Sequence, residues 1–147
     1  MPRFISALLE WRGFILIARI VLTFVFWSAG LAGIADFPAK VAEMRAVGLE
    51  PAEAVAVAVT FLQLGGSALI ILNRWAWFGA GALGVFLMLT IPVAHAFWTM
   101  AEPQRTFEFY VVLEHVSLVG GLMVAAALGE RTGRERQGQP APDPAIR

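Results

Sequence analysis

From residue 14 onward the chain alternates long apolar runs with short polar breaks. Four runs stand out, at residues 14–35, 52–72, 75–100 and 107–128. At 1.5 Å per residue each is long enough to cross a hydrocarbon core of roughly 30 Å, with some tilt. The first is interrupted only by Arg19, and Asn73 with Arg74 stops the second. Hardly any loop separates Asn73 from Trp75, so the second and third helices are predicted to form a tight hairpin. Gly33-Ile34-Ala35 resembles a small-residue cleavage site. The apolar stretch before it exceeds the roughly 7–15 residues of a signal-peptide core, however, so the first run reads as a crossing.

The breaks carry their own pattern. Residues 36–50 are too polar to span, yet Val41, Met44 and Val47 recur at threefold spacing. With Pro38 near its start and Gly48 at its end, this segment is predicted to be a short helix on the outer surface. Residues 1–13 are expected to lie along the inner interface. Residues 130–147 are polar and rich in Pro and Arg, as in a disordered cytoplasmic tail. There Arg131, Arg134 and Arg136 alternate with Glu130 and Glu135, a weak signal for anionic lipid. The expected fold is therefore all-α: an integral membrane antiparallel four-helix bundle over residues 14–129, with a short surface helix between helices 1 and 2. Small residues in Ser28-Ala29-Gly30, Ala32-Gly33, Gly65-Gly66, Gly79, Gly81, Gly84 and Gly120-Gly121 are expected to let helix backbones approach closely.

Composition supports that class. Hydrophobic residues make up 59% and charged residues 15%, against about half and a quarter in soluble domains. Net charge is zero, so no global field draws the chain to nucleic acid. Cysteine is absent, which excludes disulfides, thiolate metal sites and disulfide exchange by this chain alone. With four crossings, both termini and the second loop share one side. That side holds Arg3, Arg12, Arg74, Arg131, Arg134, Arg136 and Arg147, against Lys40, Arg45 and Arg105 opposite. The balance predicts cytoplasmic termini. Trp11, Trp75 and Trp77 on one side and Trp98 on the other fit as interface anchors.

Ionisable groups in hydrocarbon are costly and tend to pair, face the protein interior or serve a function. Counting from helix ends places His95 about 7 Å inside the outer boundary, Glu114 about 10 Å in and His115 one rise deeper. Gln63 falls near mid-membrane, and Arg19 about 7 Å in from the cytoplasmic side. Their bland reading is structural: Arg19 snorkels to the interface, and Gln63 and Glu114 hold helices together, Glu114 pairing with His95. Their functional reading is proton handling. A carboxylate and an imidazole at one level can exchange protons with a quinone oxygen near neutral pH. Phe97, Trp98, Phe107, Phe109 and Tyr110 would suit a quinone ring, although aromatics there are commonly interface anchors. Two histidines and a glutamate are also a ligand set for zinc or iron. Glu114 and His115 point about 100° apart on a helix, so they do not easily share one ion.

The order of features resembles the DoxX family of small four-helix membrane proteins, across about residues 14–128. The matching places are Arg19, Ala29-Gly30-Leu31-Ala32, Asp36-Phe37-Pro38, Gly48 and Pro51, Leu64-Gly65-Gly66, Arg74-Trp75-Ala76, His95-Ala96-Phe97-Trp98 and Leu118-Val119-Gly120-Gly121-Leu122. The chain departs from the family's common pattern at Gly33 (a lysine there), at Gln63 (a glutamate) and at Glu114-His115 (a Lys-Asn pair). The resemblance implies a link to membrane redox chemistry, as a subunit of a quinone-linked oxidoreductase system in a bacterial inner membrane. On that expectation His95 and Glu114 handle protons, while Arg19, Gln63, Trp98 and His115 contact the quinone. A membrane or redox protein partner would carry the electron-transfer cofactor, since no haem, flavin or iron–sulfur motif is visible in the sequence. A homo-oligomer is open. Relatives also act as assembly factors, so the alternative expectation is a non-enzymatic membrane scaffold or assembly subunit of a larger complex. A small transporter is a third idea, less supported because no internal repeat is evident.

Overall fold

A computed structural model describes residues 2–136, with side chains as far as 129. Seven α-helices are present among the described residues. They are α1 (Arg3–Glu10), α2 (Arg12–Leu22), α3 (Phe24–Ala35), α4 (Phe37–Ala46), α5 (Ala52–Ile71), α6 (Ala76–Ala94) and α7 (Gln104–Arg136). A single 3-10 turn, Phe97–Thr99, lies between α6 and α7. Three segments are long and apolar enough to cross a membrane: Ala52–Ile71, Ala76–Thr99 and Gln104–Gly129. The predicted first crossing is not one straight helix. Its halves, α2 and α3, qualify only together, and they meet at 58°.

Thr23 sits at that bend. Its hydroxyl donates to the Arg19 carbonyl at 2.8 Å, a back-bond one turn up the helix of the kind that bends helices. The Ile20 carbonyl accepts from the Trp27 indole at 3.2 Å instead. Side chains thus satisfy the Ile20 carbonyl, which the break would leave bare in an apolar medium. Thr23 itself is fully buried.

The predicted surface helix is α4, and its ends follow from sequence. The Asp36 side chain accepts from the Ala39 N–H at 3.0 Å, capping the first turn. Gly48 adopts φ +74°, with its N–H bonded to the Arg45 carbonyl and the Leu49 N–H to that of Met44. That pair of bonds is the Schellman stop, which favours glycine at the left-handed position. Val41 and Met44 are buried against Ala52 and Ala56 at the start of α5. An Arg45–Glu53 ion pair adds to the same contact.

The α5–α6 hairpin turns through Asn73 and Trp75, both at positive φ. The two helices then meet at small residues. A Cβ on Gly79 would lie 2.7 Å from the Gly66 carbonyl oxygen, and one on Gly66 as close to Leu83. Around this contact Phe26, Ile70, Leu83, Leu87, Leu122 and Ala125 form the main core. The sequence expects the polar tail to begin at residue 130, but α7 continues to Arg136; the remaining part of that expectation, residues 137–147, lies outside the described residues.

Candidate functional site

A cavity of about 530 Å³ lies where α3, α4, α5, α6 and α7 meet. Its existence follows from the bend at Thr23. Below it, α2 packs against α7, where a Cβ on Gly121 would come within 2.8 Å of Leu22. Beyond it, α3 follows α4 and α5 instead. The space released on the α7 side is the cavity.

Four of the six predicted site residues line it: Gln63, His95, Glu114 and His115. The structure does not bring Arg19 and Trp98 to it. Arg19 stands on α2, below the bend. Trp98 lies in the 3-10 turn, 55% exposed and edge-on to Phe97, consistent with an interface anchor.

The predicted His95–Glu114 pairing is also corrected. Pro92 stands near the end of α6, where its missing N–H loosens the last turn. His95 caps that helix with its own N–H on the Ile91 carbonyl at 3.0 Å. Its imidazole Nδ1 meets Glu108 Oε2 at 2.7 Å. The other Glu108 oxygen accepts from Gln104 at 2.6 Å. Glu114 instead stands on an exposed face of α7 at the cavity edge. Glu108 lies six residues before Glu114 and seven before His115. On a 3.6-residue helix the latter spacing returns to the same face and the former does not. That spacing was the available signal, and it points to Glu108.

His115 packs edge-on against His95, ring centroids 4.8 Å apart. Its Nδ1 lies 2.8 Å from the Val111 carbonyl oxygen, which only accepts, so Nδ1 carries the proton. In both rings, then, Nδ1 is already taken, by the Glu108 carboxyl in one and by a carbonyl in the other. Nε2 is the nitrogen left to each ring for exchange with a ligand.

Lys40 is a further lining residue, one that sequence reasoning placed on the surface. It is only 8% exposed, its ammonium 2.9 Å from Glu43 Oε2. Its stem lies beside Gly33, where a Cβ would meet Lys40 Cγ at 3.3 Å and Thr60 Oγ1 at 3.1 Å. The absence of a side chain at Gly33 is what admits the lysine. Gln63, 5% exposed, and Thr60 each keep a buried oxygen without a hydrogen-bond partner. Among the described residues, no group of three or more His, Asp or Glu is placed to hold a metal ion.

A family model described as DoxX matches residues 14–96. The chain belongs to the DoxX family. Three helices of spanning length and composition agree with that membership, and mark this DoxX protein as an integral membrane protein. The match includes Arg19, Gln63 and His95 and stops before α7, so Glu108, Glu114 and His115 lie beyond it. No curated protein and no solved structure matches the chain.

Proposed function

We propose that this DoxX protein is a membrane subunit of a quinone-linked oxidoreductase system, with the quinone head group in the α3–α7 cavity. On this reading α2–α3 together make the first of four antiparallel crossings, in a bacterial inner membrane with cytoplasmic termini, and the cavity lies in the outer half. The observation that carries it is the His95–Glu108 pair, set beside His115 on a cavity otherwise largely apolar. A volume near 530 Å³ falls within the roughly 300–1,000 Å³ usual for ligand pockets.

The chemistry divides cleanly. Oxidising a quinol to a quinone releases two protons and two electrons. His95 Nε2 takes a proton from a quinol hydroxyl, or returns one to a quinone carbonyl, while Glu108 keeps the ring's tautomer and orientation fixed. Glu114, at the cavity edge, passes protons toward the outer surface. A redox partner takes the electrons. Gln63 and His115 orient the ring by hydrogen bonds.

The test uses His95→Ala and Glu114→Gln in the complex isolated with its partners. Quinone-dependent electron transfer should fall about a hundredfold in His95→Ala, the low end of what acid–base catalysis contributes, with the complex intact. Full activity in both variants would overturn the proposal.

One observation favours a second reading, an assembly or scaffold role. Gly65, Gly81 and Gly120 have nothing within 4 Å of where a Cβ would stand. These faces are open to a partner helix at close range. Loss of partners, rather than of turnover, in the same two variants would favour it.

A further inference from the structure

The cavity has two mouths of opposite chemistry. One is rimmed by Asp36 and Glu43 at the α3–α4 corner, with the buried Lys40 beneath them. The other is the cleft between α3 and α7, walled by Val25, Ala29, Ala32 and Leu118. Val25 is 48% exposed and Ala32 is exposed as well, so the cleft opens outward on an apolar stretch of α3. The first mouth suits water and ions. A hydrocarbon chain leaving by it would lie against charged groups, at a cost in desolvation. The second suits hydrocarbon.

The cleft's size and its continuity with polar groups decide what occupies it. A helix 10–12 Å across fills about 420–610 Å³ per turn, so about 530 Å³ takes one turn of a partner helix, not a crossing. An apolar helix there would also bury the Glu114 carboxyl and the His115 Nε2 against a surface with nothing to bond them. A flat head with a flexible chain fits both parts, the head beside the histidines and the chain along the small side chains of α3.

We infer that the ligand of this cavity is an amphiphile with a flat polar head and a hydrocarbon tail, loaded from the bilayer between α3 and α7, with its tail left in the cleft. The identity of the head rests on the quinone reading above; the route rests on the cleft.

The cysteine-free chain allows a direct test. Ala29→Cys with Leu118→Cys is reconstituted in liposomes and bridged with a bifunctional maleimide; the unbridged protein is the control for folding. Two probes are used, a benzoquinone with an isoprenoid tail supplied in the lipid and a tail-less dimethoxybenzoquinone supplied in water. Bound quinone is counted by mass spectrometry after gentle release. Bridging should lower retention of the tailed quinone at least about tenfold, equivalent to about 1.4 kcal/mol, and leave the tail-less one in place. Ala29→Trp, which plugs the cleft without a bridge, should do the same. Undiminished retention of the tailed quinone after bridging and in Ala29→Trp overturns lateral loading and leaves the quinone reading standing. Loss of both probes on bridging also overturns it, because head site and cleft would then be one space. Failure of the unbridged protein to retain either probe overturns the quinone reading itself.

Discussion

An imidazole in a membrane interior acts according to which of its nitrogens is already taken. In His95 and His115 Nδ1 is committed, to Glu108 and to the Val111 carbonyl, so the two rings present the same atom, Nε2, for exchange. On the proposed function Glu108 acts through His95, as a positioning residue. Glu108→Gln keeps an acceptor for the ring while removing the charge, and Glu108→Leu removes both. Quinone-dependent turnover should fall in that order, by about tenfold or more in the leucine variant. The pH–rate profile of the glutamine variant should move, which a purely structural role would not produce. Identical profiles in all three proteins would place Glu108 outside proton handling. His95, Glu114, His115 and Gln63 were legible in the sequence because each interrupts an apolar run. Glu108 is easily passed over because it stands near the start of its run, where a charge is ordinary, and only its seven-residue spacing from His115 marks the shared face. Lys40 was missed because a lysine on a polar segment reads as surface; its burial depends on the empty space at Gly33, a partner seven residues away on another helix.

At the scale of elements, glycines separate into those that set a contact and those that face outward. Gly79 passes the Gly66 carbonyl so closely that a Cβ would stand 2.7 Å from backbone and 2.9 Å from Leu69 Cβ, whereas Gly81 has open space. Backbone cannot move aside as a flexible side chain can. Gly79→Ala should therefore destabilise the α5–α6 hairpin by about 1–3 kcal/mol, as overpacking does. Gly81→Ala should be neutral or slightly stabilising, since alanine is the better helix former. Thermal unfolding in detergent measures both, and equal midpoints would show that the hairpin is looser than its geometry. The sequence marked both positions alike. It marked the ends of α4 correctly, because caps are local: Asp36, Pro38 and Gly48 act within a few residues of themselves. It did not mark the bend at Thr23, since a threonine in an apolar run is as compatible with a straight helix as with a broken one.

For the whole molecule, the Lys/Arg balance predicts cytoplasmic termini, and the absence of cysteine makes the orientation measurable. A membrane-impermeant maleimide should label Ala42→Cys on α4 in intact cells with an opened outer membrane, and Arg74→Cys at the α5–α6 hairpin only after the inner membrane is permeabilised. Labelling of position 74 alone in intact cells would invert the topology and turn the cavity toward the cytoplasm. Membrane class and hairpin position belong to the sequence, because the hydrophobic effect and backbone hydrogen bonding in lipid act on each run separately. So does the DoxX resemblance, carried by local motifs. The cavity belongs to the tertiary structure alone. It needs α2 held to α7 at Leu22 and Gly121, α3 bent away at Thr23, and Glu108 rotated onto the face of His95. The first and last of these join residues on different helices, and the bend at Thr23, local in itself, matters through the helices it leads α3 towards. Runs of hydropathy record how strongly a segment prefers lipid, and carry no record of which of its faces another helix will meet.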